Sequence, residues 1–423
     1  DPIFLITSNT EEKEEEPKNP GDSIPFGGDL DDPSNLLPEI QERRIQRESV
    51  FPVSPLKPLH DFTDAVKSDI YEAIRLKLGF VFNHLFQVLN RSLPETDAWG
   101  TVTAIDFVGS WELVDWQQPT QGELFFHVQG RWDYGTTGPG SLGPDSLLSI
   151  STANIFDEYD PTFVLRNLYW EQGSEEAGWA FRIGKITPDA ILNSSQHLNA
   201  TTTFVTTAGT GSFTNAHADS GVGLAGVWYA SDRFKILGLI SDANGDRFNF
   251  GEIEQGDFYK AIEFSFKPFP KTAKSGFWKL NIWNNDGTKD NEPINGSTGI
   301  GGWGFFVKLE QELSDDGNLI GIVRYGRSFN GSALWRYLAG VNLLFYNPFG
   351  PDGLQNDLIG VAFNWAEPFN PGSRGESNVE VFYRFPLFPE VDVTFNYQSV
   401  INPAFDPTNG HASAFSFRIR SVF

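Results

Sequence analysis

The chain has 423 residues, 14% of them aromatic, with 31 Lys and Arg against 55 Asp and Glu, a net charge of −24. That balance argues against nucleic-acid binding, where clustered cations must neutralise phosphates, and the absence of Cys removes disulfides, zinc fingers and redox pairs. No run of roughly 18 uncharged apolar residues marks a transmembrane helix, yet 38 Phe, 12 Trp and 42 Gly coexist with a mean hydropathy of −0.29, a mixture that suits strands with one apolar and one polar face.

Methionine is absent, including at position 1. With no charged and apolar segment opening the chain at Asp1, a signal peptide is read as already removed. Residues 1–60 then form a flexible, acidic, Pro-rich periplasmic leader. The run Glu11-Glu12-Lys13-Glu14-Glu15-Glu16-Pro17 and the segment Gly28-Asp29-Leu30-Asp31-Asp32-Pro33 offer too little apolar surface to offset chain entropy. A solvated tether is the plain reading; a periplasmic contact or a segment that enters a pore is the sharper one.

Residues 61–95 carry an amphipathic helix. Val66, Ile70, Ile74, Leu78, Val81, Leu85 and Leu89 recur at three- and four-residue spacing between Asp61 and Arg91, and Pro94 follows. The helix is expected at or inside the periplasmic mouth, ahead of alternatives in which it pairs with another copy.

Residues 96–423 read as strands separated by Gly, Asn, Asp and Pro. Leu124, Phe126, Val128, Gly130, Trp132 and Tyr134 oppose Phe125, His127, Gln129, Arg131 and Asp133, because strand side chains alternate with period two. Val391, Val393, Phe395 and Tyr397 likewise oppose Asp392, Thr394, Asn396 and Gln398. In the last strand Phe415, Phe417, Ile419, Ser421 and Phe423 oppose Ala414, Ser416, Arg418, Arg420 and Val422. Candidate segments lie near 101–114, 122–135, 144–153, 162–172, 177–186, 220–230, 233–241, 257–267, 276–285, 301–313, 318–328, 333–346, 357–366, 377–386, 391–400 and 411–423. The pattern predicts an all-β fold, a transmembrane antiparallel β-barrel of about 16 strands, a size that leaves an aqueous channel. Short connections such as 173–177 and 315–317 would be periplasmic turns, and long ones near 187–219, 242–256 and 286–300 extracellular loops.

Leu165-Arg166-Asn167-Leu168-Tyr169-Trp170-Glu171-Gln172, leading to Phe181-Arg182-Ile183-Gly184-Lys185, resembles the aromatic-Glu-Gln and Arg-x-Gly strands of the carbohydrate-selective porins of the OprB type. Ile191-Leu192-Asn193-Ser194, Glu380-Val381-Phe382-Tyr383-Arg384 and the Tyr-Gln-x-x-x-Asn-Pro element at Tyr397 to Pro403 resemble later parts of the same family, in the right order, over about residues 145–423. The leader, the helix and the Thr/Ser-rich loop at 198–219 depart from it. The resemblance implies an integral porin of the Gram-negative outer membrane, passing mono- or oligosaccharides down their gradient and not an enzyme. Its partners would be sugars or other small solutes, outer-membrane lipid and lipopolysaccharide, and itself in a homo-oligomer if it is a trimer and not a monomer.

A sugar path needs donors, acceptors and aromatic platforms together. Inward faces supply Arg131, Arg182, Lys279 with Trp283, Arg324, Arg336, Glu380 with Arg384, and Arg418 with Arg420. The plain alternative for each is a structural ion pair on the wall. Asp106, Glu112, Asp133, Glu263, Glu310 and Asp392 would pair with these cations or give a cation-preferring field. A general porin for small solutes, cationic ones among them, and a plugged structural or adhesive barrel are the competing functions. No Gly-x-Ser-x-Gly or His-Glu-x-x-His motif accompanies the six His. No cofactor is expected; Asp242, Asn244 and Asp246 are a calcium candidate that reads more simply as a turn.

Overall fold

The computed structural model describes residues 25–26, 32–42, 48–135, 137–154, 157–160, 162–195, 197–269, 275–350 and 353–423. Two helices, α1 (Pro33–Glu42) and α2 (Lys57–Ile74), lead into strands β1 (Leu76–Leu89), β2 (Trp99–Val114) and β3 (Gly122–Asp133). A helix α3 (Pro139–Leu147) precedes β4 (Phe163–Ser174), β5 (Trp179–Ile186), β6 (Gly221–Ser231), β7 (Phe234–Asp242), β8 (Phe258–Phe266) and β9 (Gly276–Asn285). The chain continues through β10 (Gly302–Glu312), β11 (Leu319–Ser328), β12 (Trp335–Tyr346) and β13 (Leu358–Pro368). It ends with β14 (Glu376–Phe388), β15 (Val391–Ile401) and β16 (His411–Val422).

Each strand pairs antiparallel with its chain neighbour, and β1 closes the barrel against β16, with Val81 opposite Val422 and Leu89 opposite Ala414. The turns on the side where β1 begins include the two-residue connections 232–233 and 389–390, whereas 134–162 and 187–220 lie at the other end. Short turns mark the periplasmic end.

Fifteen of the sixteen expected segments coincide with strands, and the sixteenth does not. Residues 139–147 are helical, with Pro139 at its start and Pro144 within, and a Pro has no N–H to give a ladder. Around 149–154 the segment forms no strand ladder, and wall side chains reach its backbone instead: Gln87 and Gln398 both donate to the Thr152 carbonyl, at 3.1 and 2.9 Å. The missing stave is β1, inside what the spacing predicts as helix 61–91. Its outward face is Leu76, Leu78, Phe80, Phe82, His84, Phe86 and Val88, and its inward face holds Gly79, Val81, Asn83, Leu85, Gln87 and Leu89. A four-residue spacing is a multiple of two as well as near 3.6, so Val81, Leu85 and Leu89 satisfy a strand as readily as a helix. The barrel therefore starts at Leu76, not at 96. The acidic run at 11–17 and residues 28–31 lie outside the described residues.

The lumen is largely filled from both ends. From the periplasmic side, Leu36, Leu37 and Ile40 of α1 join an apolar cluster with Val81, Val108 and Phe125 of the inner wall. Gly79 allows this approach, since a Cβ there would stand 2.4 Å from the Ile40 Cδ1. From the other end the loop 187–220 folds inward. Its Leu198 and Phe204 pack with Ile320, Ile322, Leu344 and Phe382, the Phe204 and Phe382 rings meeting edge-on at 5.0 Å.

Gly184, the glycine of the Arg-x-Gly strand, has φ +140° and a Cβ there would come within 2.4 Å of the Leu168 carbonyl oxygen on the paired strand. Gly184→Val is expected to cost about 2–4 kcal/mol through backbone strain and overpacking. A lower temperature of loss of the compact, heat-modifiable band on electrophoresis would register it; an unchanged temperature would remove glycine's role there.

Candidate functional site

Alternation on the strands delivers the expected polar side chains to the lumen, and the inward segments then engage most of them. Lys279 donates to the Ser194 carbonyl at 2.8 Å and to its hydroxyl at 3.0 Å. Lys308 bonds the Asn193 and Ser194 carbonyls, and Ser195 bonds Glu310. Arg324 reaches the Gly211 carbonyl at 3.1 Å, the Ala208 carbonyl, and the Asn364 amide oxygen at 2.8 Å. Arg384 donates to the Thr202 carbonyl at 3.0 Å, and Arg418 to those of Ala200 and Thr203 at 2.5 and 3.0 Å. Glu380 accepts from the Thr206 N–H at 3.2 Å, the Thr206 hydroxyl at 2.8 Å and the Val205 N–H at 2.5 Å. These groups hold the loop: charged side chains satisfy backbone groups that an irregular segment leaves without ladder partners.

Two further arginines hold the N-terminal helix. Arg182 pairs with Asp32 at 2.7 Å and with Glu171 at 2.7 Å, and its guanidinium lies 4.0 Å from the centre of the Tyr169 ring. Tyr169 and Ser34 hydroxyls also donate to Asp32, both at 2.7 Å. Burial pushes the Asp32 carboxyl up, but Arg182 and these hydroxyls outweigh it and hold it below the usual carboxylate range. Arg420 grips Glu39 through two bonds of 2.6 and 2.7 Å.

Between the loop and the wall remains a cavity of about 110 Å³. Asn193, Asn199, Asn215, His217 and Asp189 line it together with Arg166, Arg247 and Lys308. Arg247 pairs with Asp219, and Arg166 donates to the Gln129 amide oxygen at 3.2 Å and the Tyr159 hydroxyl at 3.3 Å. Burial raises the Asp219 carboxyl, and Arg247 with Arg166 reverses that to a net lowering. The amide oxygens of Asn193 and Asn215 are buried and accept no hydrogen bond.

Arg131 is buried 4.6 Å from the centre of the Tyr159 ring. Trp283 is also buried, stacked 6.2 Å from Tyr259 under the loop, so neither ring is a platform open to solute. Arg336 departs from expectation altogether. The register shifts between Trp335 and Tyr337, and such a bulge exchanges the faces of its neighbours. Trp335 turns inward beside Phe213, while Arg336 is 46% exposed and bonds Glu367 at 3.2 Å on the outer rim. In the calcium candidate, Asp242 accepts the N–H groups of Asn244 and Glu252, at 2.9 and 2.6 Å, and Asp246 that of Phe248 at 2.9 Å, as a turn requires. Among the described residues no group of three or more His, Asp or Glu is placed to hold a metal ion.

Lys308 and Arg247 were not singled out from the sequence. The first was legible, since Phe306, Lys308 and Glu310 alternate on one face of β10. The second sits in a loop, where no period exists to read.

A closed sixteen-strand barrel whose polar lumen is narrowed by an inward loop defines a porin. A profile of the carbohydrate-selective porin, OprB family matches residues 139–423. The chain belongs to that family, and its fold places it in an outer membrane. The structure is similar to the high-pH structure of Pseudomonas putida OprB, with a TM-score of 0.68 at 13% identity over 85% of this chain and 97% of that one. The low-pH structure of the same protein matches with a TM-score of 0.55 at 11% identity, over 89% and 99% of the two chains. An uncharacterized Synechocystis protein, sll0772, is 30% identical over 131 residues, 29% of this chain and only 23% of its own length.

Proposed function

We propose that the chain is a passive, carbohydrate-selective porin whose solutes cross the cavity beside loop 187–220. The observation that carries this reading is the cavity lining, which sets the amides of Asn193, Asn199 and Asn215 next to the cations Arg166 and Arg247. Sugar hydroxyls both donate and accept, so they suit a wall offering acceptors and charged donors at once. Contacts of this kind are shallow, as a path that must release its solute requires. The general-porin alternative differs in one respect: its current is indifferent to sugar.

Planar-bilayer conductance titrated with mono- and disaccharides separates the two. Saturable block is expected, and Asn215→Leu should weaken it about fivefold, the equivalent of one hydrogen bond of ~1 kcal/mol. Absence of any block would leave the general porin.

A further inference from the structure

We propose that α2 is an interfacial helix, with Leu59, Phe62 and Val66 seated in the headgroup layer of the periplasmic leaflet of the membrane that the barrel spans. The proposal needs the barrel to stand in lipid but is independent of which solute it passes.

The 3.6-residue period divides α2 into two faces. His60, Asp64, Lys67 and Tyr71 share one, and this face meets the barrel. The His60 ring lies 5.6 Å from that of Phe423, and the Tyr71 hydroxyl donates to Glu112 at 3.1 Å. Phe62 stands half a turn from Tyr71, with Leu59 and Val66 beside it. No residue of α2 is buried. Phe62 is 67% exposed and Leu59 50%, values like those of Phe163 at 57% and Phe395 at 53% on the lipid-facing wall. Burying one such side chain is worth about 1.5–3 kcal/mol, so an open stripe of them in water is costly.

What covers the stripe follows from what it adjoins. Trp111, on the outer face of β2, donates through Nε1 to the Ile74 carbonyl at 2.8 Å, which ties the end of α2 to the lipid-facing wall. Phe423 bridges the other end, 6.1 Å from Phe80 on the outer face of β1. The Arg75 guanidinium lies 3.5 Å from the centre of the exposed Trp116 ring. Trp and Arg together are the side chains that settle at a membrane–water boundary. The apolar stripe thus prolongs the lipid-facing band past the periplasmic rim. Asp61 and Asp69 are also exposed, which fits a helix lying at headgroup depth and not one sunk among acyl chains.

The chain has no Cys, so single spin labels report without background. Leu59→Cys, Phe62→Cys and Val66→Cys, and separately Asp61→Cys, Ser68→Cys and Glu72→Cys, are labelled in the full chain reconstituted in phosphatidylethanolamine–phosphatidylglycerol vesicles. Phe363→Cys on the outer wall serves as the lipid reference. The expected result is collision with oxygen over a water-soluble nickel chelate at 59, 62 and 66, and the reverse at 61, 68 and 72. Nickel access at 59, 62 and 66 with a lipid-like Phe363 site would overturn the proposal. So would labels there closed to both probes, which would mean that another segment or a second copy covers the face. A nickel-accessible Phe363 site would instead show that the barrel itself is not in lipid.

Discussion

A chain lacking residues 1–42 is expected to pass more current than the full chain, by roughly twofold, because a helix with its side chains is a body about 10–12 Å across and α1 occupies the periplasmic half of the lumen. Asp32→Asn should act in the same direction. It leaves Glu171 as the one carboxylate paired with the buried Arg182 guanidinium among the described residues, and removing one partner of a buried pair costs about 3–5 kcal/mol. Acid provides the matching test. A carboxylate held below its ordinary value of 3.8 stabilises the docked helix fully above that value and loses this contribution as pH falls through the lowered one. The Asp32 contribution should therefore be lost below about pH 4, where the current of the full chain approaches that of the truncated chain at the same pH. Equal single-channel currents for both chains at neutral pH would mean that α1 does not obstruct the path.

Glu380→Ala should free the inward loop. The carboxylate accepts three bonds from Val205 and Thr206 and a fourth from the Asn396 amide at 2.5 Å, and charged hydrogen bonds contribute about 1.5–3 kcal/mol each before relaxation. The expected outcome is faster amide exchange at Val205 and Thr206, noisier and larger current, and weaker sugar block. Glu380→Gln keeps two acceptor lone pairs and should fall between. Unchanged exchange at both amides in Glu380→Ala would show that Phe204 in its apolar seat holds the loop without help.

The wall was legible because period-two alternation is a local property that a sequence displays directly. Phe415 to Phe423 against Ser416, Arg418 and Arg420 is enough to place a strand and its two faces. The partners of those faces were not legible. Arg182, Arg420, Lys279 and Arg418 point inward as read, yet what they meet is Asp32, Glu39, Ser194 and Ala200, residues 150, 381, 85 and 218 positions away. An inward arginine looks the same whether it waits for a sugar or binds a carbonyl of its own chain. Two local signals also misled for stated reasons: the four-residue spacing through Val81, Leu85 and Leu89 is common to helix and strand, and the bulge at Trp335 reversed the face of Arg336.

Only seven residues separate Glu42 from Val50, whose N–H bonds the Pro386 carbonyl at 3.0 Å on the barrel rim. Any departure of α1 from the lumen is therefore made on a short leash. A tether of that length holds a segment near its seat at an effective concentration of the order of millimolar. Reclosure is then a first-order event, independent of how much protein the membrane contains. A free peptide copying residues 32–42 would need to approach about the same concentration to compete for the vacated seat.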